Sequence, residues 1–165
     1  TLGNNITVSG LSPQSIQGDR AIIDILNKLS HNDHLNEISI DAGQIPDLVP
    51  ILAVAGAYTS GKTKIYNASR LKIKESDRLT ATADGLRRLG VDITATNDGL
   101  EIYGGTPLNG GEVDSYNDHR IAMAMTIAAI GAKDSVKIKG SECVNKSYPN
   151  FYKDFKELGG EYIVI

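Results

Sequence analysis

Four short stretches of this 165-residue chain set ionisable side chains at the ends of regular elements. Asp47 follows Ile45-Pro46 at the head of an apolar run. Lys74-Glu75-Ser76-Asp77-Arg78 closes a strand-like run and opens a helical one. Tyr116-Asn117-Asp118-His119-Arg120 opens a second apolar run, and Lys146 lies in the loop after a strand-like segment over 134–140. Taken singly, Asp47, Asp77 and Asp118 read as caps or first-turn acids, which favour a helix start by about 1 kcal/mol. Arg78 and Arg120 resist that account, because a cation at a helix N-terminus opposes the macrodipole. With Lys74 and Lys146 at matching loop positions, they point instead to one shared anion. Helix N-termini and Lys/Arg forks are the groups that bind phosphates and carboxylates.

The elements that position these residues follow from periodicity. Ile22, Ile25, Leu26 and Leu29 give residues 20–30 a one-sided helical pattern, with Asp19 as its N-cap. Leu79, Ala83, Leu86 and Leu89 repeat the pattern before Gly90, and Phe151, Phe155 and Leu158 before Gly159-Gly160. Leu48 to Tyr58 and Ile121 to Ile130 are apolar almost all round, which predicts helices buried between other layers. Strands are expected at Ile38/Ile40, Thr63/Ile65, Val91/Ile93, Leu100/Ile102, Val136/Ile138 and Ile163/Ile165, with a hairpin at Asn97-Asp98-Gly99. The class is α/β, or α+β with mixed sheets. A repeat links the stretches: carboxylate, buried helix, strand, loop ending in Lys, one-sided helix ending in Leu-Gly. No Pro-, Gly- or Ser-rich linker interrupts it, so residues 1–165 are expected to form one domain.

Composition excludes several alternatives. Seventeen basic against 20 acidic residues leave a net charge of −3, no basis for a general nucleic-acid surface. No run approaches the roughly 18 apolar residues of a membrane span, and Cys143, the single cysteine, agrees with a reducing, cytoplasmic setting. Cys143 reads as a packed thiol rather than a nucleophile. His31 and His34 lie in a polar stretch with no Cys or third His nearby, so no metal site is expected. No cofactor cradle is visible either: neither Gly104-Gly105 nor Gly110-Gly111 makes a dinucleotide or Walker loop.

The segments IPDLVPILAVAGAY, NASRLKIKESDRL, VDSYNDHRIAMAM and ECVNKSYPNFYKDFKELGG together resemble the C-terminal part of 5-enolpyruvylshikimate-3-phosphate synthases, over essentially the whole chain and in that family's order. The resemblance implies an inside-out α/β fold of two globular halves, each of three βαβαββ units, with the site in the cleft between them. It implies that this chain is one half, its first unit truncated, and that its partners are the missing N-terminal half and two small molecules, shikimate 3-phosphate and phosphoenolpyruvate. Asp47 matches the carboxylate that takes the proton of the shikimate 5-hydroxyl, and Glu75 the glutamate that moves a proton at the enolpyruvyl carbon. Lys74 matches the contact to shikimate 3-phosphate. Arg78, Arg120 and Lys146 match the cations that hold phosphoenolpyruvate, with Asp118 and His119 as neighbours. Arg70 stands where some members carry a substrate-touching Asn, so that role is not carried over, and Asn145 and Tyr148 receive none. Two alternatives stay open: a transferase acting on a UDP-amino sugar, and a noncatalytic anion-binding fragment.

Overall fold

The computed structural model describes residues 9–10, 12, 14–30 and 37–165. After a 3₁₀ turn at Gly18–Ala21, the order is α1 (Ile22–Ser30), β1 (Glu37–Asp41), α2 (Val49–Tyr58), β2 (Gly61–Tyr66), α3 (Arg78–Arg88), β3 (Asp92–Ala95) and β4 (Leu100–Gly104). There follow β5 (Gly111–Asp114), α4 (His119–Ala129), β6 (Val136–Lys139) and α5 (Phe151–Glu157). Further 3₁₀ turns at Pro46–Leu48, Ser69–Ile73 and Ser141–Lys146 carry the chain into the candidate stretches.

The repeat is visible in the topology. β1 and β2 pair in parallel around the α2 crossover, and β4 and β3 add antiparallel, giving the sheet order β1-β2-β4-β3. Residues 37–104 are thus one βαβαββ unit. β5 and β6 likewise pair in parallel around α4 and are followed by α5. Both outer helices end on a left-handed glycine, because only Gly accepts that backbone at low cost. Gly90 has φ 88° and the Val91 N–H reaches back to the Leu86 carbonyl; Gly159 has φ 94° and the Gly160 N–H reaches the Phe155 carbonyl.

The core lies between the layers. Val49, Leu52 and Ala53 of α2 and Ile121, Met125 and Ala128 of α4 are fully buried, as all-round apolar helices require. α3 packs on both, and Gly85 leaves room for Met125, whose sulfur would stand 2.7 Å from an added Cβ. Each fully buried Leu, Ile or Met contributes about 1.5–3 kcal/mol through loss of water contact, so this core fixes the helix starts as rigid platforms.

Several expectations are corrected. Asp19 does not cap α1: it lies in the first turn of the preceding 3₁₀ segment, whose cap position is Gln17. The run ending at Lys74 is a 3₁₀ turn rather than a strand, because Asn67 adopts φ 59° and ends β2; Leu71 is buried while Ile73 is 86% exposed. Ile163 and Ile165 form no strand: among the described residues they pair with no other segment, and both are exposed. Leu158 lies beyond α5 and is exposed. β5 was not anticipated, for Val113 is its one apolar residue. His31 and His34 fall outside the described residues.

Candidate functional site

The two units place their helix starts side by side, and the ionisable stretches meet there. Asp77 caps α3 by accepting the Thr80 N–H at 3.2 Å, and Asp118 caps α4 by accepting the Arg120 N–H at 2.9 Å. Asp47 enters from the Pro46–Leu48 turn, where Pro46 fixes the first helical residue without needing an N–H partner.

Arg78 is the centre of the arrangement. Its Nε donates to Asp118 Oδ2 at 2.7 Å and its Nη2 to Asp118 Oδ1 at 3.2 Å. Nη2 also donates to Glu75 Oε2 at 2.6 Å, and Nη1 to Asp47 Oδ1 at 2.9 Å. One guanidinium therefore ties together three carboxylates from three separate stretches, which its planar fork of donors permits. Asp118 is fully buried and Arg78 is 1% exposed. Burial alone would raise the Asp118 carboxyl, but hydrogen bonds from Arg78, the Arg120 N–H and Ser76, with the Arg78 charge, hold it below the usual carboxylate range.

Above this buried pair lies a half-exposed layer. Asp47 takes Arg120 Nη2 at 3.0 Å and Lys74 Nζ at 3.5 Å, in addition to Arg78. The side chains of Asp47, Lys74 and Arg120 are 34%, 35% and 32% exposed, and that of Glu75 46%. These four can meet a molecule from solution, whereas Arg78 and Asp118 hold them from below. Lys146 is exposed and donates 2.8 Å bonds to the Asn117 carbonyl and side-chain oxygen, next in sequence to Asp118 but outside the ion-pair network. His119 is half-buried at the start of α4, and its Nδ1 is buried without a hydrogen-bond partner. Three of the four expected cations thus converge on one carboxylate, and the fourth stands at the adjoining turn.

Sequence reasoning gave no role to Ser76, Tyr116 or Asn117, which the structure places in the supporting layer. Asn117 carried a signal, since Asn tolerates the left-handed backbone it adopts at φ 55°; Tyr116 and Ser76 carried none. Cys143 is buried against Ala122 and Val144, and burial, only partly offset by Ser115 and Lys146, raises its thiol above the ordinary value. Among the described residues no group of His, Cys, Asp or Glu is arranged to hold a metal ion, and no helix is long and apolar enough to cross a membrane.

This arrangement of paired parallel βαβ units is that of solved enolpyruvyl-transferase structures. The enolpyruvyl transferase NikO from Streptomyces tendae superposes at a TM-score of 0.70 over 86% of this chain and 35% of its own, at 20% identity, and shares that fold. EPSP synthase from Acinetobacter baumannii superposes at 0.70 with 36% identity, over 76% of this chain and 31% of its own. The family model for EPSP synthase (3-phosphoshikimate 1-carboxyvinyltransferase) matches residues 1–155, and the chain belongs to that family. Relatives named 3-phosphoshikimate 1-carboxyvinyltransferase from Clostridium acetobutylicum and Clostridium novyi are each 52% identical, over 97% and 96% of this chain. The chain spans 40% and 39% of their lengths.

Proposed function

We propose that this chain supplies one face of an enzyme that transfers the enolpyruvyl group of phosphoenolpyruvate to the 5-hydroxyl of shikimate 3-phosphate and releases phosphate. In this reading it is the C-terminal half-domain of a two-domain protein, it works in the cytoplasm, and a second half closes the cleft. The observation that carries the reading is Asp47 held at the meeting point of Lys74, Arg78 and Arg120, with Glu75 on the same half-exposed face.

The chemistry needs those groups. The substrate hydroxyl forms a C–O bond to the central carbon of phosphoenolpyruvate and passes its proton to Asp47, while Glu75 delivers a proton to the methylene carbon. The tetrahedral adduct then returns a methyl proton to Glu75 as its C–O bond to phosphate breaks. Arg120 and Lys146 hold the carboxylate and phosphate of phosphoenolpyruvate, and Lys74 contacts shikimate 3-phosphate. Arg78, which the resemblance matched to phosphoenolpyruvate, is 1% exposed here and keeps the acids in register from beneath. Fixed cations stabilise the developing charge because they need no reorganisation during the reaction. Asp118 and His119 border the site.

The test is phosphate release from the two substrates. The chain alone is expected to show no turnover, and the chain joined to the remaining N-terminal part of a clostridial relative to show it. In the joined protein, Asp47→Asn is expected to lower turnover by at least about 10²-fold, the usual scale of an acid–base contribution. Near-normal turnover of that variant, or none in the joined protein, overturns the reading.

A further inference from the structure

The turn between β5 and α4 holds two consecutive non-glycine residues in the left-handed region, Tyr116 at φ 53° and Asn117 at φ 55°. Asn accepts this backbone; a tyrosine rarely does. Part of what holds the turn is local. Asp114 Oδ1 accepts the Tyr116 N–H at 2.6 Å, Ser115 Oγ accepts the Asn117 N–H at 3.1 Å, and the Asp118 N–H donates to the Ser115 carbonyl at 3.0 Å. None of these bonds needs a tyrosine at position 116.

The side chain of Tyr116 makes a different connection. Its hydroxyl donates to Asp84 Oδ2 at 2.9 Å, across to α3 and 32 residues away in sequence. The same Asp84 oxygen takes Arg88 Nε at 2.7 Å, which fixes the acceptor in place. Partial burial, with Asp84 beside it, raises the phenol above its ordinary value, so the hydroxyl stays a donor. α3 also begins with Arg78, which Asp118 grips through two bonds. The turn is therefore tied to one helix at two points, Arg78 and Asp84, six residues or about 9 Å apart along the axis. One attachment leaves a turn free to pivot; two fix its orientation. Lys146 in turn donates to both oxygens of Asn117.

We propose that Tyr116 is a positioning residue for the anion site: through Asp84 it locks the left-handed turn so that Asp118 meets Arg78 along its Nε edge and Asn117 faces Lys146. A surface tyrosine without this role, 43% exposed as Tyr116 is, would tolerate loss of its hydroxyl without consequence. The anion arm of the claim rests on the reading above; the geometric arm does not.

The test uses the full chain with Tyr116→Phe, Asp84→Ala, their combination, and Asp84→Asn, which keeps an acceptor oxygen. The first readout is hydrogen exchange of the buried Arg78 Nε–H by nuclear magnetic resonance. Tyr116→Phe and Asp84→Ala are each expected to speed it about three- to ten-fold, the range of one lost hydrogen bond. The double variant is expected to be no faster than either single one, and Asp84→Asn to stay near the parent. The second readout is the dissociation constant of inorganic phosphate, expected to weaken by a similar factor in the same three variants. Unchanged Arg78 exchange in Tyr116→Phe, or effects that add in the double variant, overturns the proposal. Phosphate that fails to bind even the parent chain counts against the anion reading, while the Arg78 signal still decides the positioning role.

Discussion

Asp118→Asn isolates what the buried ion pair contributes, because it changes almost nothing else. Asn caps helices about as well as Asp, so the bond to the Arg120 N–H and the start of α4 survive. If the amide oxygen keeps that bond and the 3.2 Å contact to Arg78 Nη2, the NH₂ group falls where Oδ2 now accepts Arg78 Nε at 2.7 Å and Ser76 Oγ at 3.0 Å. The Ser76 hydroxyl can rotate and accept instead. Arg78 Nε cannot, and a donor then faces a donor at a site with no solvent access. Removing one partner of a buried pair costs about 3–5 kcal/mol. Asp47 and Glu75 still neutralise Arg78, which brings the expected loss to about 2–4 kcal/mol, or a urea midpoint lower by about 1–2 M. The pH dependence supplies the sign. The Asp118 carboxyl lies below its ordinary value when folded, so its stabilisation is present above the unfolded value of about 3.9 and is lost as pH falls through the folded one. Urea unfolding from pH 7 down to pH 3 should therefore show a parent–variant gap that is full near neutrality and begins to narrow below about pH 4. A gap below about 0.5 kcal/mol at pH 7, within the range of an ordinary surface substitution, or a gap that persists unchanged in acid, refutes the argument.

Two further predictions concern the frame. Asp77→Ala removes the cap of α3 and is expected to lower stability by about 1 kcal/mol, measured by the same unfolding curve. Cys143 is expected not to react with a thiol reagent at pH 8 in the folded chain and to react at once in urea, because it is 4% exposed and its thiol is raised by burial.

The sequence made the helices legible where one force dominated. The apolar runs at 48–58 and 121–130 had only one way to avoid water, and α2 and α4 are buried as expected. The Leu-Gly stops and the Asn97-Asp98-Gly99 turn were readable because a left-handed or tight backbone demands particular residues. Alternation was less dependable. The run closing at Lys74 and the pair Ile163/Ile165 look strand-like, yet a strand exists only where another strand shares its hydrogen bonds, and neither segment is paired in a sheet. The cations of the site were identifiable because a cation at a helix start contradicts local electrostatics and calls for a tertiary explanation; the acids Asp47 and Glu75 gained their roles only through the family resemblance. Their division into layers was not. Nothing in the order of residues says that Arg78 is enclosed while Arg120 is half-exposed, for this depends on which helix start lies beneath the other.

The ionic cluster also has a consequence for how anything binds there. Lys74, Arg78 and Arg120 are matched by Asp47, Glu75 and Asp118, so the site is self-neutralised rather than a standing positive hole. A phosphate or carboxylate that took the Arg120 N–H now donated to Asp47 at 3.0 Å would displace that carboxylate, whereas the Lys74 ammonium, 3.5 Å from Asp47, has three donors and could meet both. Binding under the proposed function would then be a metathesis of partners, with a weaker salt dependence than at an open basic patch. The same exchange uncovers an Asp47 oxygen at the moment the anion arrives. The half-exposed Asp47 carboxylate would thus gain acceptor capacity as its guest is seated.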